Sequence, residues 1–144
     1  MRVEVEKISA KSDLDLAFAI RREVFVVEQK VDPADEYDEF EDLAVHFLAW
    51  LDGKAVGAAR WRFTSYGLKL ERFAVLKSAR GNGVGQALVN SVLEDIKSNK
   101  GTETKLKYLH AQLEAVSLYS KFGFKKVGGV FEECNILHYQ MELI

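Results

Sequence analysis

The sequence predicts an α+β domain in which helices pack against a mixed β-sheet, and three observations indicate this class. Polar and apolar residues that alternate with period two, as in residues 2–8 (RVEVEKI), are typical of strands. Apolar residues at helical spacing, as in residues 84–99, are typical of amphipathic helices. Asp52-Gly53 between two apolar stretches is a strong local signal for a hairpin. The segments follow one another in the order β-α-β-β-β-α-β-α-β-β.

The amino-terminal part predicts a helix followed by an acidic connection. Ser12 can cap a helix that begins at Asp13, and the helical pattern continues to Glu28. The β-branched stretch VFVV near its end should loosen this helix. Residues 30–42 contain the only proline and a run of carboxylates, which predicts a loop or a short irregular helix. A solvated loop is the commoner meaning of such a run, and the alternative is a surface that attracts a cation.

The rest of the chain predicts strands separated by one long and one short helix. The glycine at position 123 ends the short helix, as glycine commonly does. The predicted elements are strands at 43–51, 54–63 and 69–76, a helix at 84–99, a strand at 106–112, a short helix at 113–123, and strands at 124–131 and 136–143.

Length and composition limit the class of protein. The chain has 144 residues, 48% hydrophobic and 29% charged, which suits one globular domain with a sizeable core. A net charge of −2 gives no support for non-specific nucleic-acid binding. The single cysteine, Cys134, excludes an intramolecular disulfide and fits a reducing compartment. Because neither a signal peptide nor an apolar run near the ~20 residues of a membrane span is present, we expect a soluble cytoplasmic protein.

A glycine-rich loop precedes the long helix. In the stretch ERFAVLKSARGNGVGQAL (71–88), Gly81, Gly83 and Gly85 follow Arg80 within five positions. A helix amino terminus attracts phosphate, and glycines in front of it allow the backbone to approach an anion closely. The alternative is that these glycines only turn the chain from strand to helix.

Two familiar nucleotide motifs do not fit this loop. A Walker A loop requires G-x-x-x-x-G-K-[ST], and no such lysine pair follows here. A dinucleotide fingerprint requires G-x-G-x-x-G and an acidic residue after the next strand, whereas the spacing here is G-x-G-x-G.

The pattern Arg-x-x-Gly-x-Gly at 80–85, after a strand that ends Phe-Ala-Val, resembles the pyrophosphate loop of the GNAT superfamily of acyl-CoA-dependent N-acetyltransferases. LYSKFGF (118–124) matches the tyrosine and Gly-Phe of such proteins, and REVFVVEQ (22–29) and FEECNILH (131–138) resemble the ElaA/YjcF-like branch. Asn135 stands where relatives usually have glycine, and asparagine tolerates positive φ. The resemblance implies one GNAT-like domain over 1–144, with a six- to seven-stranded mixed sheet flanked by about four helices.

The resemblance implies acetyl-CoA as co-substrate and no metal. Amides of the glycine loop would hold the pyrophosphate, and the pantetheine arm would pair with the edge of the strand at 69–76. An N–H of that strand, with Leu76 as the first choice, would face the thioester oxygen. Gln112 stands where many members have asparagine. The implied cofactor-binding residues are Phe73, Val75, Arg80, Gly81, Gly83, Val84, Gly85, Gln86 and Gln112.

Tyr119 is the candidate general acid that the resemblance implies. The sulfur that leaves needs a proton, and a tyrosine hydroxyl can supply it. The alternative is that Tyr119 is one more core aromatic of a short helix, beside Phe122 and Phe124.

Several residues are candidates for the base that deprotonates an amine acceptor. Glu71 is the first, since it lies two residues before Phe73 and both should face the same side of the strand. Glu28, at the end of the REVFVVEQ motif, is the second. His110 and His138 are further candidates, although a strand histidine is more often a packed core residue.

The remaining polar residues have structural interpretations. His46 should be structural, and Trp61 should face the core while Arg60 and Arg62 face solvent or an anionic substrate group. Cys134 should be an inert thiol, since no cation is adjacent to it in sequence.

Direct transfer of acetyl to an amine in a ternary complex is the leading function. The acceptor would be a small molecule or a protein amine, and a homodimer is compatible with the sequence. One alternative is an acyl-CoA sensor without turnover. Another is an acyltransferase whose donor is an acyl-carrier protein, which a basic patch would favour. The residues of that patch would be Lys77, Arg80, Lys125 and Lys126.

Overall fold

A computed structural model describes residues 2–143, in which seven strands and four α-helices follow one another along the chain. The strands are β1 (Val3–Ile8), β2 (Val45–Leu51), β3 (Lys54–Phe63), β4 (Leu68–Val75), β5 (Lys107–Gln112), β6 (Phe124–Glu133) and β7 (Ile136–Leu143). The helices are α1 (Lys11–Arg21), α2 (Pro33–Glu36), α3 (Val84–Ser98) and α4 (Val116–Ser120). Short 3₁₀ turns at Lys77–Ala79 and Leu113–Ala115 precede α3 and α4.

The strands form one mixed sheet in the order β1-β2-β3-β4-β5-β7-β6, which confirms the predicted fold class. Every neighbouring pair is antiparallel except β4 and β5, which are parallel. These two strands pair only at Leu68 with Lys107 and at Lys69 with Tyr108. Beyond those pairs β4 and β5 separate, and the sheet is split toward their carboxyl ends.

A bulge in β4 sits where this split begins. Ala58 of β3 pairs with Ala74, but Arg60 pairs with Glu71, so β4 contains one extra residue. Arg72 adopts a positive φ of 58° there. The extra residue inverts the alternation of side chains, since Phe73 packs with the core under α3 while Glu71 contacts Arg60 on the opposite face. The prediction that Glu71 and Phe73 share a face is therefore wrong.

Helices cover both faces of the sheet. The apolar stripe of α3, which includes Leu88 and Val92, packs into a large core with residues of β3, β4, β5 and β7. On the other face, Ala17 and Ile20 of α1 pack against a smaller core that includes Leu48. No helix within residues 2–143 has both the length and the apolar character needed to cross a membrane.

The first helix differs from its prediction at both ends. It begins at Lys11 rather than Asp13, because the N–H groups of Asp13 and Leu14 already bond to the carbonyl of Ala10, and no side chain caps it. From Arg22–Glu28 the helix widens into a π-helix, with the Gln29 N–H bonded to the Val24 carbonyl at 3.0 Å. The expected loosening at VFVV is thus confirmed.

The acidic segment contains the short helix α2, capped by Asp32, and it is only partly solvated. Glu36 and Glu41 are buried, and Asp38 is half-buried. Arg21 of α1 donates to both buried carboxylates, and Arg60 of β3 donates to Asp38 and Glu41. The solvated interpretation holds for the exposed carboxylates of Asp35, Glu39 and Asp42. It is wrong for Glu36 and Glu41, which are buried because arginines on two neighbouring elements neutralise them.

The side chains of β3 and the two hairpin turns have clear positions. Trp61 is buried as predicted, but Arg60 is fully buried as well, contrary to the expectation that it faces solvent. His46 is buried and its Nε2 bonds to the Glu41 carbonyl at 2.8 Å, in agreement with a structural role.

Both hairpin turns contain residues with positive φ. These residues are Asp52 and Gly53 between β2 and β3, and Cys134 and Asn135 between β6 and β7. Asn135 has φ of 62°, so asparagine does support this turn.

Candidate active site

The separation of β4 and β5 opens a cavity of about 370 Å³. The π-helical turn, β4, β5, α4 and the β6–β7 hairpin all contribute to its wall. The lining includes Gln29, Glu71, Phe73, His110, Tyr119 and Glu133. Side chains from distant parts of the sequence therefore meet at this one gap in the sheet.

The glycine loop ends at the amino terminus of α3. Gly83 precedes the helix with φ of 81°, and no side chain caps the first turn, which contains Val84, Gly85 and Gln86. The N–H groups of this turn have no intrahelical partners. A Cβ placed on Gly81 or Gly83 would meet no atom of residues 2–143 within 4 Å, so the space in front of the helix is open. Open space, uncapped amides and the helix dipole together fit a phosphate.

Arg80 lies beside this loop but is bound to the protein. Its Nε donates to the Val75 carbonyl at 3.0 Å, and its two terminal nitrogens donate to the carboxylate of Glu28 at 2.7 Å each. The bond from Arg80 lowers the pKa of Glu28. Contrary to expectation, the structure does not bring Glu28 to the acceptor side of the cavity, because its carboxylate turns toward the glycine loop.

The edge of β4 directs backbone groups into the gap. The Leu76 N–H bonds to the Val56 carbonyl of the neighbouring strand at 2.9 Å, so the expectation that Leu76 faces a thioester is wrong. Successive residues of a strand direct their N–H groups to opposite sides, and that of Val75 therefore points away from β3. The Val75 carbonyl, which accepts from Arg80, also points away from β3.

Tyr119 is buried in the wall of the cavity. Its ring packs edge-on against Phe73 at 5.7 Å and Phe124 at 6.2 Å. Within residues 2–143 its hydroxyl has no hydrogen-bond partner, although the residue is only 7% exposed. Burial raises the pKa of this hydroxyl, so it stays protonated. Tyr119 thus belongs to the core and to the cavity at once.

Glu71 lies in the cavity on the α1 face of β4, surrounded by cations. Its Oε2 accepts from Nε of Arg60 at 2.8 Å and from Nε of Arg62 at 2.6 Å, and Lys69 lies 3.4 Å from its other oxygen. Burial alone would raise the pKa of this carboxyl, but the positive charges of Arg60, Lys69 and Arg62 outweigh burial and the pKa is lowered. A carboxylate held in this way is a weak proton acceptor.

Gln112, at the end of β5, lies on the cavity wall and is paired across it. Its side-chain amide donates to Gln29 at 2.9 Å and accepts from Gln29 at 3.3 Å. The pair connects β5 to the residue that follows the π-helix. Both the nitrogen and the oxygen of the Gln112 side-chain amide are therefore already hydrogen-bonded to Gln29.

The far wall of the cavity is formed where the β6–β7 hairpin meets β5, and it contains two histidines and a carboxylate. His110 of β5 is hydrogen-bonded to Glu133 of β6 at 3.2 Å, and Nδ1 of His138 donates to the Ile136 carbonyl at 2.7 Å. The exposed thiol of Cys134 has a raised pKa, from partial burial and the charges of neighbouring carboxylates, in agreement with an inert thiol. No group of three or more His, Cys, Asp and Glu side chains in residues 2–143 could hold a metal ion.

Comparison with known proteins agrees with this architecture. Residues 9–144 match the family model described as an acetyltransferase (GNAT) domain. The chain belongs to the GNAT acetyltransferase family. Bacillus subtilis N-acetyltransferase YjcF is 38% identical over 140 residues, covering 95% of this chain and 98% of YjcF. Escherichia coli ElaA has a TM-score of 0.83 at 29% identity, covering 97% of this chain and 99% of ElaA. An acyl-CoA N-acyltransferase from Pseudomonas aeruginosa also has a TM-score of 0.83, at 27% identity and 99% coverage of both chains.

This GNAT chain is an acyltransferase of the ElaA/YjcF-like branch. Among the residues that the sequence offered as site candidates, Glu71, Phe73, His110, Gln112, Tyr119 and His138 line this cavity. The sequence did not predict Glu133, because nothing in it indicates that a carboxylate at the tip of one hairpin meets a histidine of β5. The REVFVVEQ motif contains Gln29, but only the fold shows that Gln29 pairs with Gln112.

Proposed function

We propose that this GNAT protein transfers an acetyl group from acetyl-CoA to a primary amine, directly and within a ternary complex. The observation that supports this best is the combination of three features: the uncapped amino terminus of α3, the edge of β4 that has no strand partner beyond Lys69, and a cavity lined by Tyr119. Each of these features matches one part of the donor.

The amino terminus of α3 would hold the pyrophosphate. The amides of Gly81, Gly83, Val84, Gly85 and Gln86 would supply the donors, since no side chain caps this helix, the space beside Gly81 and Gly83 is open, and a helix amino terminus favours anions. Arg80 would add positive charge once its bond to Glu28 is exchanged for phosphate. This role agrees with the acyl-CoA in the name of the Pseudomonas aeruginosa protein.

The edge of β4 would hold the pantetheine arm and its thioester. The arm carries amide groups that can pair with a free strand edge. The N–H of Val75 faces the gap and would donate to the thioester oxygen as negative charge develops on it. Phe73, whose ring lines the cavity, would exclude water from the thioester.

Tyr119 would protonate the departing sulfur. The residue is buried, and its protonated hydroxyl makes no hydrogen bond within residues 2–143, so it can donate to an incoming sulfur without breaking another bond. No side chain of the protein needs to carry the acetyl group in this scheme.

The acceptor amine would enter on the α1 face of the sheet. The cavity lining has more carboxylates than cations, and this negative charge would suit an ammonium ion. The carboxylates are Asp35, Glu36, Asp38, Glu71 and Glu133, and the cations are Arg62, Lys69 and Arg72. Glu71 would help to hold the amine. The acceptor is a small molecule or an exposed protein amine.

Thiol release tests this function. The purified protein, supplied with acetyl-CoA and a panel of alkylamines, polyamines, amino sugars and lysine peptides, should release free thiol only when a suitable amine is present. Binding of acetyl-CoA without thiol release for any amine would instead support a sensor. Turnover only with an acylated carrier protein would change the donor.

A further inference from the structure

An amine acceptor arrives as an ammonium ion and must lose a proton before it can attack, and the residues assigned above leave this step open. We propose that His110 is the general base and that Glu133 positions it. This inference rests on the proposed acetyl transfer and deepens it, since it assigns the acceptor side of the cavity.

His110 lies on the face of the gap from which the acceptor would enter. Its neighbours Leu109 and Ala111 pack into the core under α3, so His110 points to the opposite face of β5. In the parallel register that pairs Lys69 with Tyr108, His110 stands across the gap from Glu71. Its ring lines the cavity and its side chain is 21% exposed, so a proton can pass from the cavity to solvent.

Glu133 fixes the tautomer of His110. The hydrogen bond from His110 is the main reason that the pKa of Glu133 falls to about 2, so its carboxylate is ionised and can only accept. Nδ1 of His110, at 3.2 Å from Oε2, must therefore carry the hydrogen. Nε2 makes no hydrogen bond within residues 2–143, and in the neutral imidazole it is the nitrogen that carries the free lone pair. This is the arrangement that a histidine base requires, with a carboxylate to stabilise the imidazolium that forms.

The hairpin that carries Glu133 contacts His110 of β5 beyond a break in its strand register. The register of β6 and β7 breaks between Val127 and Phe131, where Gly128 has φ of 77°. Beyond this break, the Phe131 ring packs edge-on against His110 at 5.0 Å. Packing and a charged hydrogen bond together hold the imidazole in one orientation.

His138 is less suited to the same role. Its Nδ1 donates to a backbone carbonyl, its ring stacks on Phe131 at 5.7 Å, and it makes no hydrogen bond to a carboxylate within residues 2–143. It is only 7% exposed. A positive charge on His138 would be buried without a hydrogen-bonded counter-ion, which is costly.

The protons and electrons balance as follows. The ammonium gives one proton to Nε2 of His110, and the freed lone pair of the nitrogen forms the new C–N bond. The C–S bond breaks with its electron pair on sulfur, which takes the hydroxyl proton of Tyr119. The second proton lost by the nitrogen restores Tyr119, and His110 releases its proton to solvent. The sum is one amide, one free thiol and one proton.

The test compares variants on acceptors of different basicity. His110→Gln should lower kcat for an alkylamine about 10²-fold or more, while calorimetry shows unchanged affinity for acetyl-CoA. For a weakly basic fluorinated amine, which is already neutral at the assay pH, the loss should shrink to a few-fold. Glu133→Gln should lower kcat about 10-fold at unchanged KM for acetyl-CoA, and NMR of the His110 ring nitrogens should show a changed tautomer. Glu132→Gln is the matched control and should retain activity, because Glu132 neighbours Glu133 on β6 but is exposed and does not line the cavity.

The outcomes separate the two proposals. If the wild-type protein releases no thiol with any amine, both the proposed acetyl transfer and the assignment of His110 as base are wrong. An active wild type whose His110→Gln variant stays within threefold on alkylamines would overturn the base assignment alone. A large loss of kcat in Glu71→Gln or His138→Gln, with kcat of His110→Gln unchanged, would also overturn the assignment of His110 and would identify the other residue as the base.

Discussion

The Tyr119 side chain has two parts with different roles: its ring packs in the core, and its hydroxyl is the proposed proton donor. Its ring is packed between Phe73 and Phe124, and its hydroxyl faces the gap without a partner in residues 2–143. A buried hydroxyl with a raised pKa cannot lose its proton to water, so it remains a donor for a thiolate. Stability and catalysis should therefore respond differently when this hydroxyl is removed.

Tyr119→Phe should lower turnover with acetyl-CoA by about 10- to 10³-fold, because the departing sulfur loses its proton donor. Stability should change little, since no hydrogen bond is lost. Tyr108→Phe is the matched control: that hydroxyl bonds to Thr64 at 2.8 Å, so its loss should cost about 1 kcal/mol of stability and leave turnover intact. Thiol-release kinetics and urea unfolding of both variants check this. Unaltered turnover in Tyr119→Phe would assign that residue to the core alone.

At the scale of elements, the start of α3 is where backbone conformation and cofactor binding meet. The left-handed φ of Gly83 turns the chain into the helix and leaves the first amides uncapped. A side chain here would strain the backbone and also fill the space in front of those amides. The two effects can be separated with a second glycine of the same conformation.

Gly83→Ala should weaken CoA binding at least 10-fold, or about 1.4 kcal/mol. Gly101→Ala is the control, since Gly101 has φ of 86° against 81° for Gly83, and a Cβ on either meets no described atom within 4 Å. Both variants should lose about 1–2 kcal/mol of stability from left-handed strain. Calorimetry should find weaker CoA binding only in Gly83→Ala. Equal CoA affinity in the two folded variants would exclude the loop from cofactor binding.

Local patterns predicted the hairpin at Asp52-Gly53, the order of strands and the helix after the glycine loop, because each depends on neighbouring residues. The bulge at Arg72 could not be predicted, since it arises from the pairing of β3 with β4 and not from any signal in β4. For this reason Glu71 was predicted on the wrong face. The charge run of residues 30–42 gave no sign that arginines of other elements would bury it.

At the scale of the molecule, a network of buried charges joins α1, the acidic segment and the two central strands. Arg60 connects three carboxylates, those of Asp38, Glu41 and Glu71, and Arg21 joins Glu41 from α1. Burial would lower the pKa of Arg60, but these carboxylates outweigh burial and raise it. The network holds the acidic segment as one wall of the cavity.

Arg60→Met should destabilise the protein by about 3–5 kcal/mol, because it leaves buried carboxylates without their counter-ion. Lys11→Met removes an exposed ion pair with Asp15 and should cost less than about 0.5 kcal/mol. Urea unfolding of both variants gives the comparison. If Arg60→Met loses as little unfolding free energy as Lys11→Met, the network contributes little to stability.

The same network should make stability fall in acid. Asp38 has a pKa of about 2 against an ordinary 3.8, because its bond to Arg60 outweighs the effect of burial. Between roughly pH 4 and pH 2 the unfolded chain therefore binds more protons, and the free energy of unfolding falls as pH falls. With screening at this partly exposed site, Asp38 should account for about 1 kcal/mol of the loss. In Asp38→Asn, the loss of unfolding free energy between pH 4 and pH 2 should be smaller by this amount. Glu39→Gln, which changes an exposed carboxylate of the same segment, should leave the loss unchanged.

The most direct measurement of acetyl transfer counts both products of one reaction. With acetyl-CoA and an accepted amine, free thiol and N-acetylated amine should form in equal amounts, and mass spectrometry of the protein after donor alone should show no acetyl group. Acetyl-CoA binding without either product would contradict the proposed transfer. A stably acetylated protein that passes its acetyl group to the amine would contradict transfer within a ternary complex.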